Sequence, residues 1–330
     1  MHHEAFWLNA SDATPLFVNR WFADEAPKAI VMIAHGMAEH SGRYGRLAAA
    51  LVQAGFAVYG HDQRGHGRSA EHGISGHYAD QDGWSKVVSD LACINHHIRQ
   101  QYPDTPIFLL AHSMGSYIGQ AYLMQHSCSL QGAILSGSNY QPVGLYRAAE
   151  LVARVERWRQ GPSGRSALME FLSFGSFNKA CKPNRTAFDW LSRDPAEVDA
   201  YIADPLCGFR CTNQLWLDLL QGLQQVVQGL VQVDDHHHPG FHRNPVQGDV
   251  ADPHGNTVVV SEQVLEDHPT GHGIDHGHHQ DGGLRHRAKG HVKQNEDDKE
   301  NDGQKDLQPF LGPQLEFILA AKSLKLLFSE

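Results

Sequence analysis

The chain has 330 residues, of which 41% are apolar and 19% charged, and a formal net charge of −10 (27 Lys and Arg against 37 Asp and Glu). That composition describes a soluble globular chain, and the acidic balance argues against unspecific binding to nucleic acid or to an anionic membrane surface. Five cysteines without a CxxC pair exclude a disulfide framework and fit a reducing compartment.

In chain order, residues 5–10 and 15–22 read as an opening antiparallel pair of strands. AIVMIA (29–34) is a continuous apolar run, the pattern of a strand buried on both faces. Residues 43–55 form a helix closed by Gly55, and FAVYG (56–60) is the next strand. Trp84, Val87, Val88, Leu91, Ile94 and Ile98 recur at helical spacing within 82–101, one stripe facing a sheet. IFLLA (107–111), the helix 114–125 and GAILSG (132–137) continue the alternation. Strand–helix alternation with right-handed crossovers gives a doubly wound, mostly parallel α/β sheet. From about 140 to 210 the pattern is helical and polar, the pattern of a cap inserted into the core.

The composition breaks near residue 224. Of 24 histidines, twelve fall between His236 and His291, while every Trp, Tyr, Cys and Met lies at or before Trp216. The reading divides the chain into a core (1–139), a helical cap (140–210), a return to the core (211–224) and a His-rich tail (225–330), irregular or disordered because its Gly/His-rich and charged stretches lack apolar surface to bury. NTVVVSEQ (256–263) is the tail's candidate strand, and 314–328 looks helical. Three origins compete for the tail: a reading-frame shift near codon 224, a metal-binding extension, or a tail without function. No basic-then-apolar leader opens the chain, and no run approaches the ~18 apolar residues of a spanning helix, so a cytoplasmic location is expected.

Three constellations carry chemistry. Ala111-His112-Ser113-Met114-Gly115 stands at a strand-to-helix junction, where a strained turn lifts a serine hydroxyl above the sheet edge. Ser113 is thus the candidate nucleophile, with Ala111 in place of the first glycine of G-x-S-x-G. His35-Gly36-Met37 follows the third strand; the amides of Met37 and Met114 are the two candidate oxyanion donors. Gly60 to Ser69 is a compact glycine-rich loop in which Asp62 and Arg64 are expected to form a buried pair with a scaffolding role.

AHGMAEHSGRY (34–44), GHDQRGHGRS (60–69), AHSMGS (111–116) and FDWLSRDPAEVDAYIADPLCGF (188–209) together resemble the monoacylglycerol lipase/lysophospholipase group of α/β-hydrolases. The resemblance covers about residues 5–223. It implies a serine carboxylic-ester hydrolase acting through an acyl-enzyme on a small lipid monoester, with 140–210 as the lid and with no cofactor or metal. By that pattern the acid falls near Asp252 and the base about thirty residues later, among His278, His279 and His286; no single histidine is assigned. Two other readings stand: a catalytically impaired hydrolase-like protein whose His-rich tail binds metal or a partner, and a serine aminopeptidase using Glu150, Glu156 or Glu170 for a substrate amine. Val155 and Trp158, set among arginines, allow at most transient contact with lipid aggregates.

Overall fold

In the computed structural model the described residues are 1–139, 141–235, 249–251 and 257–262. They lie in one compact unit. Its centre is a sheet of eight strands, ordered β1-β2-β4-β3-β5-β6-β8-β7. The strands β1 (His2–Asn9) and β2 (Pro15–Phe22) form the antiparallel hairpin that the alternation announced. Next, β2 pairs antiparallel with β4 (Phe56–His61). From β4 through β3 (Ala29–Ala34), β5 (Ile107–His112) and β6 (Gly132–Ser138) every neighbour is parallel.

Parallel neighbours need crossover helices, and three supply them: α1 (Gly45–Gln53), α2 (Gly83–Gln101) and α3 (Met114–His126). Successive side chains of a strand point to opposite faces, so each face of the sheet gathers its own core. Val31, Ile33, Val58, Phe108 and Leu110 meet α1 residues such as Leu47 and Leu51 on one face. Ile30, Met32, Leu109, Ala133 and Leu135 belong on the other face with Leu91, Ile94 and Ile98 of α2 and Ile118 of α3. Each buried Val, Leu, Ile, Phe or Met among these stabilises the fold by about 1.5–3 kcal/mol relative to exposure.

The chain leaves β3 toward β4 on one side and returns as β5 on the other. The C-terminal ends of β3 and β5 therefore lie side by side where the winding reverses, the place at which open α/β sheets build their sites. Between residues 141 and 212 the described elements are helical, as expected: α4 (Val143–Gln160), α5 (Ala167–Phe174), α6 (Pro195–Ala203) and short 3₁₀ turns. α6 starts on a Pro behind Asp194, whose carboxylate accepts the Ala196 N–H at 2.8 Å.

The composition break at 224 is not an element boundary. The helix α7 (Asn213–Asp235) runs through it, with Leu215, Leu219, Leu223, Val226 and Val227 buried on the stripe that packs against α4, α3 and α2. Beyond it, β8 (Thr257–Glu262) lies within the expected strand 256–263 and extends the sheet parallel to β6. A three-residue strand, β7 (Asp249–Ala251), pairs antiparallel with β8 where no strand was expected. Asp252, His278, His279, His286 and the helix expected at 314–328 lie outside the described residues.

The Gly60–Ser69 loop is a scaffold, but its pairing differs from the expected one. Arg64 does not meet Asp62. Its guanidinium takes Asp90 of α2 in a fork, Nε–Oδ2 2.6 Å and Nη2–Oδ1 2.8 Å, and also reaches Asp12 in the β1–β2 turn. Asp62 instead accepts the Ser41 N–H at 2.8 Å, the Ser41 hydroxyl at 2.5 Å and the Arg68 N–H at 2.8 Å. Residues two apart across a tight loop point to different neighbours, and a planar fork is best satisfied by carboxylates approaching along its edges.

Candidate active site

Ser113 occupies the turn between β5 and α3 with φ 51° and ψ −120°. A non-glycine residue at positive φ is strained, and such strain persists only where the surroundings hold it. Here they do. The Ser113 N–H donates to the Ser136 carbonyl of β6 at 2.8 Å, extending the β5–β6 ladder by one residue. On the helix side its carbonyl accepts the Ser116 N–H at 2.9 Å and the Ser116 hydroxyl at 2.6 Å. The Ser138 hydroxyl donates to Ser116 Oγ at 2.6 Å, and Gln120 donates to Ser138 at 3.1 Å, so a polar brace runs beneath the turn.

Close approach of helix and strands requires two glycines. A Cβ on Gly115 would overlap the carbonyl oxygens of Ala34 and His35, so the start of α3 sits directly on the end of β3. One on Gly119 would come within 3.1 Å of the Ala111 Cβ. The methyl of Ala111, standing where G-x-S-x-G has its first glycine, is therefore accommodated by the missing Cβ of Gly119.

The loop after β3 reaches the same spot. A Cβ at Gly36 would lie 3.3 Å from the Cβ of Ser113 and 2.7 Å from Glu39 Oε1. The loop is pinned throughout. His35 is fully buried and neutral: burial lowers its pKa, its Nδ1–H donates to the Gly36 carbonyl at 2.7 Å, and its Nε2 accepts the Gln63 N–H at 2.9 Å. Gln63 also donates to the His35 carbonyl at 2.6 Å. Glu39, buried, accepts the Gly36 N–H at 2.5 Å and the Tyr44 hydroxyl at 2.9 Å and pairs with Arg43. Burial alone would raise its pKa, but Arg43 with the nearby His112 and His35 outweighs that and holds the carboxyl below its ordinary value. Ala38, at φ 54°, is fixed from the cap: its carbonyl accepts the Tyr201 hydroxyl and the Gly208 N–H, each at 2.9 Å.

Between these two braced segments lie the Met37 and Met114 amides. Among the described residues neither donates to a backbone or side-chain acceptor. The Met114 N–H is one of the orphan donors that open α3, and its side chain is buried, with Sδ accepting the Tyr78 hydroxyl at 2.8 Å. Met114 opens the helix that follows Ser113, and Met37 follows Gly36, where a Cβ would lie 3.3 Å from the Ser113 Cβ, so these two amides remain the candidate donors to a carbonyl oxygen that gains charge. No histidine among the described residues has a hydrogen bond to the Ser113 hydroxyl; His112 turns its Nδ1 toward Ser136 Oγ at 3.3 Å instead.

The sequence alone missed Glu39, Ala38 and the cap contacts of Tyr201 and Gly208. Glu39 stands three residues after Gly36, yet a carboxylate in a polar loop reads as solvated, and only the tertiary approach of Gly36, Arg43 and Tyr44 buries it.

The family described as serine aminopeptidase, S33 (Hydrolase_4) matches residues 25–234, well over half of the chain. The chain belongs to that family. The chain is also similar to curated monoacylglycerol lipases. It is 30% identical over 232 residues to the human monoglyceride lipase, covering 67% of this chain and 66% of that one. To the monoacylglycerol lipase of Mycolicibacterium smegmatis it is 32% identical over 187 residues, 56% of this chain and 59% of that one. The chain thus spans less than two thirds of the length of either curated relative. Among solved structures, a highly thermostable carboxyl esterase from Bacillus coagulans in complex with glycerol shares the fold of this S33-family chain, with a TM-score of 0.61 at 24% identity over 68% of this chain and 73% of that one.

Proposed function

We propose that the chain hydrolyses a carboxylic ester of the monoacylglycerol or lysophospholipid type through an acyl-enzyme on Ser113, with the Met37 and Met114 amides as oxyanion donors. The observation that carries this reading is the Ser113 turn: φ 51° between β5 and α3, braced on both sides, with Gly36 of the neighbouring loop packed against its Cβ. In this reading, attack by the Ser113 oxygen on the ester carbonyl places negative charge on an oxygen that the two amides receive, and the leaving alcohol departs with a proton. Water then repeats the attack on the acyl group and frees the serine. The base that moves these protons is a histidine, and the acid that orients it an aspartate, both beyond residue 235, with Asp252 the candidate acid.

Helices α4 to α6 are the proposed lid. Its outer surface carries Leu145, Leu151, Val155, Trp158, Phe171 and Leu172, all exposed, with Trp158 86% accessible. A run of large apolar side chains on one pair of helices supports transient contact with a lipid aggregate. No helix among the described residues is long and apolar enough to cross a membrane.

The aminopeptidase reading needs an acidic group free to hold a substrate amine. Its three candidates are all engaged. Glu150 accepts from Arg154, Gln221 and Gln224; Glu156 accepts from Arg159, Gln160 and Ser166; Glu170 pairs with Arg210. Hydrolysis of a monoacylglycerol measured beside that of an aminoacyl anilide separates the two activities. Turnover of the ester with none of the anilide is expected, and the reverse preference would overturn the assignment.

A further inference from the structure

We propose that His40, Asp204 and Cys207 form a binding site for a thiophilic divalent cation of the zinc type, joining the loop after β3 to the segment after α6. One ligand atom from each residue lies within 4.8 Å of the others. His40 Nε2 already stands 2.8 Å from Asp204 Oδ2. Both side chains are prearranged. The second carboxylate oxygen, Oδ1, accepts the Leu206 N–H at 2.9 Å, which aims Oδ2 at the imidazole. The ring of His40 lies over Gly42, where a Cβ would be 3.0 Å from Cε1 and Nδ1. The Cys207 N–H donates to the Asp204 carbonyl at 3.0 Å, so thiol and carboxylate belong to one turn.

The donor set chooses the ion. One imidazole, one carboxylate and one thiolate suit zinc or cobalt and not magnesium or calcium, which prefer oxygen alone. Zinc bonds of about 2.0–2.3 Å put tetrahedral ligands roughly 3.4–3.7 Å apart. The His40–Asp204 contact of 2.8 Å must therefore open by about half an ångström to admit the ion. On coordination the Cys207 thiol proton passes to solvent, so that the dication, one carboxylate and one thiolate sum to zero charge beside the Arg43 guanidinium, which interacts with the same sulfur. The side chains of His40 and Asp204 are 16% and 28% accessible, so a fourth position opens to water or to a substrate oxygen. Bound there, the ion would tie the loop that carries the Met37 amide to the segment that also holds the Ala38 carbonyl through Gly208.

The His-rich stretch from His236 to His291 will also take up such ions, so the readout must be specific for sulfur. Titrating the full chain with Co²⁺ is expected to develop a near-ultraviolet thiolate-to-cobalt charge-transfer band whose plateau intensity corresponds to one thiolate ligand per chain and which is bleached by Zn²⁺. Cys207→Ser abolishes the band. His40→Gln, which keeps a hydrogen bond to Asp204 but removes an imidazole ligand, weakens Co²⁺ binding at the sulfur site at least tenfold. Cys128→Ser, at an exposed cysteine elsewhere, leaves the band intact. A chain that binds Co²⁺ without a sulfur band, or a band that survives in a folded Cys207→Ser protein, overturns the proposal.

Discussion

At the scale of single residues, the site is a problem of holding amides still. Glu39 is a positioning residue: it accepts the Gly36 N–H, one residue before the Met37 amide. Glu39→Ala is expected to lower kcat by about tenfold or more with KM little changed, since a misplaced oxyanion donor costs transition-state binding and not ground-state binding. Glu39→Gln keeps an oxygen for Gly36 and Tyr44 and should recover part of the rate. Steady-state kinetics on a soluble ester checks both; equal losses in kcat and affinity for the two variants would make Glu39 merely structural. The serine, its turn and the candidate amides were legible in five consecutive residues and in His35-Gly36-Met37, because strand and helix periodicities meet there. Glu39 and the true partners of Arg64 were not. A polar residue's partner is fixed by which loops the sheet brings together, and neither spacing nor composition carries that information.

At the scale of elements, the Arg64 fork joins three of them: the β1–β2 turn through Asp12, the loop after β4, and α2 through Asp90. Arg64 is 3% and Asp90 1% exposed, so removing the guanidinium strands a carboxylate in the core. Arg64→Met is expected to destabilise the protein by about 3–5 kcal/mol, read as a lower midpoint in urea. Asp90→Asn with Arg64→Met should recover part of that, because the uncompensated charge is then gone. The proposed lid makes a different prediction. Trp158→Ser with Phe171→Ser removes exposed apolar surface and leaves the core as it is. It should lower turnover of a micellar or vesicular ester severalfold and leave turnover of a short, soluble ester within twofold. The helical character of 141–212 was legible from the absence of strand runs. The two-sided character of α4, with Tyr146 and Ala153 inward and Leu151 and Trp158 outward, was only partly so, since an apolar residue among arginines reads equally as a solvated face.

At the scale of the whole molecule, acid is the expected weakness. His61 and His66 are fully buried, and burial pushes both down to about 3 from an ordinary value near 6.5. A group whose folded pKa is depressed contributes stability above its unfolded pKa and loses it as the pH falls toward the folded value. Stability should therefore decline from about pH 6.5 downward, by a few kcal/mol per histidine as the pH nears 3. Urea midpoints across that range check this, and His66→Phe, at an imidazole whose Nε2 has no partner among the described residues, should flatten the slope. The strands up to β6 followed from apolar periodicity, but their order in the sheet did not, because periodicity does not say which strands become neighbours. The edge beyond β6 did not follow either, because three residues of β7 in a polar stretch are too short to show a period. Nor did the composition break at 224 announce that α7 continues to Asp235; Val226 and Val227 keep the apolar stripe going where the supply of aromatic residues has already ended.

The measurement that reaches the centre of the account is covalent labelling of the full chain with a fluorophosphonate, read by intact mass and by the modified peptide. Only an activated hydroxyl reacts rapidly with such a probe. The expected result is a single adduct on Ser113, formed in the native chain and absent from both the Ser113→Ala protein and the unfolded chain. A folded chain that takes no label, or one labelled at another residue with Ser113 untouched, would contradict it.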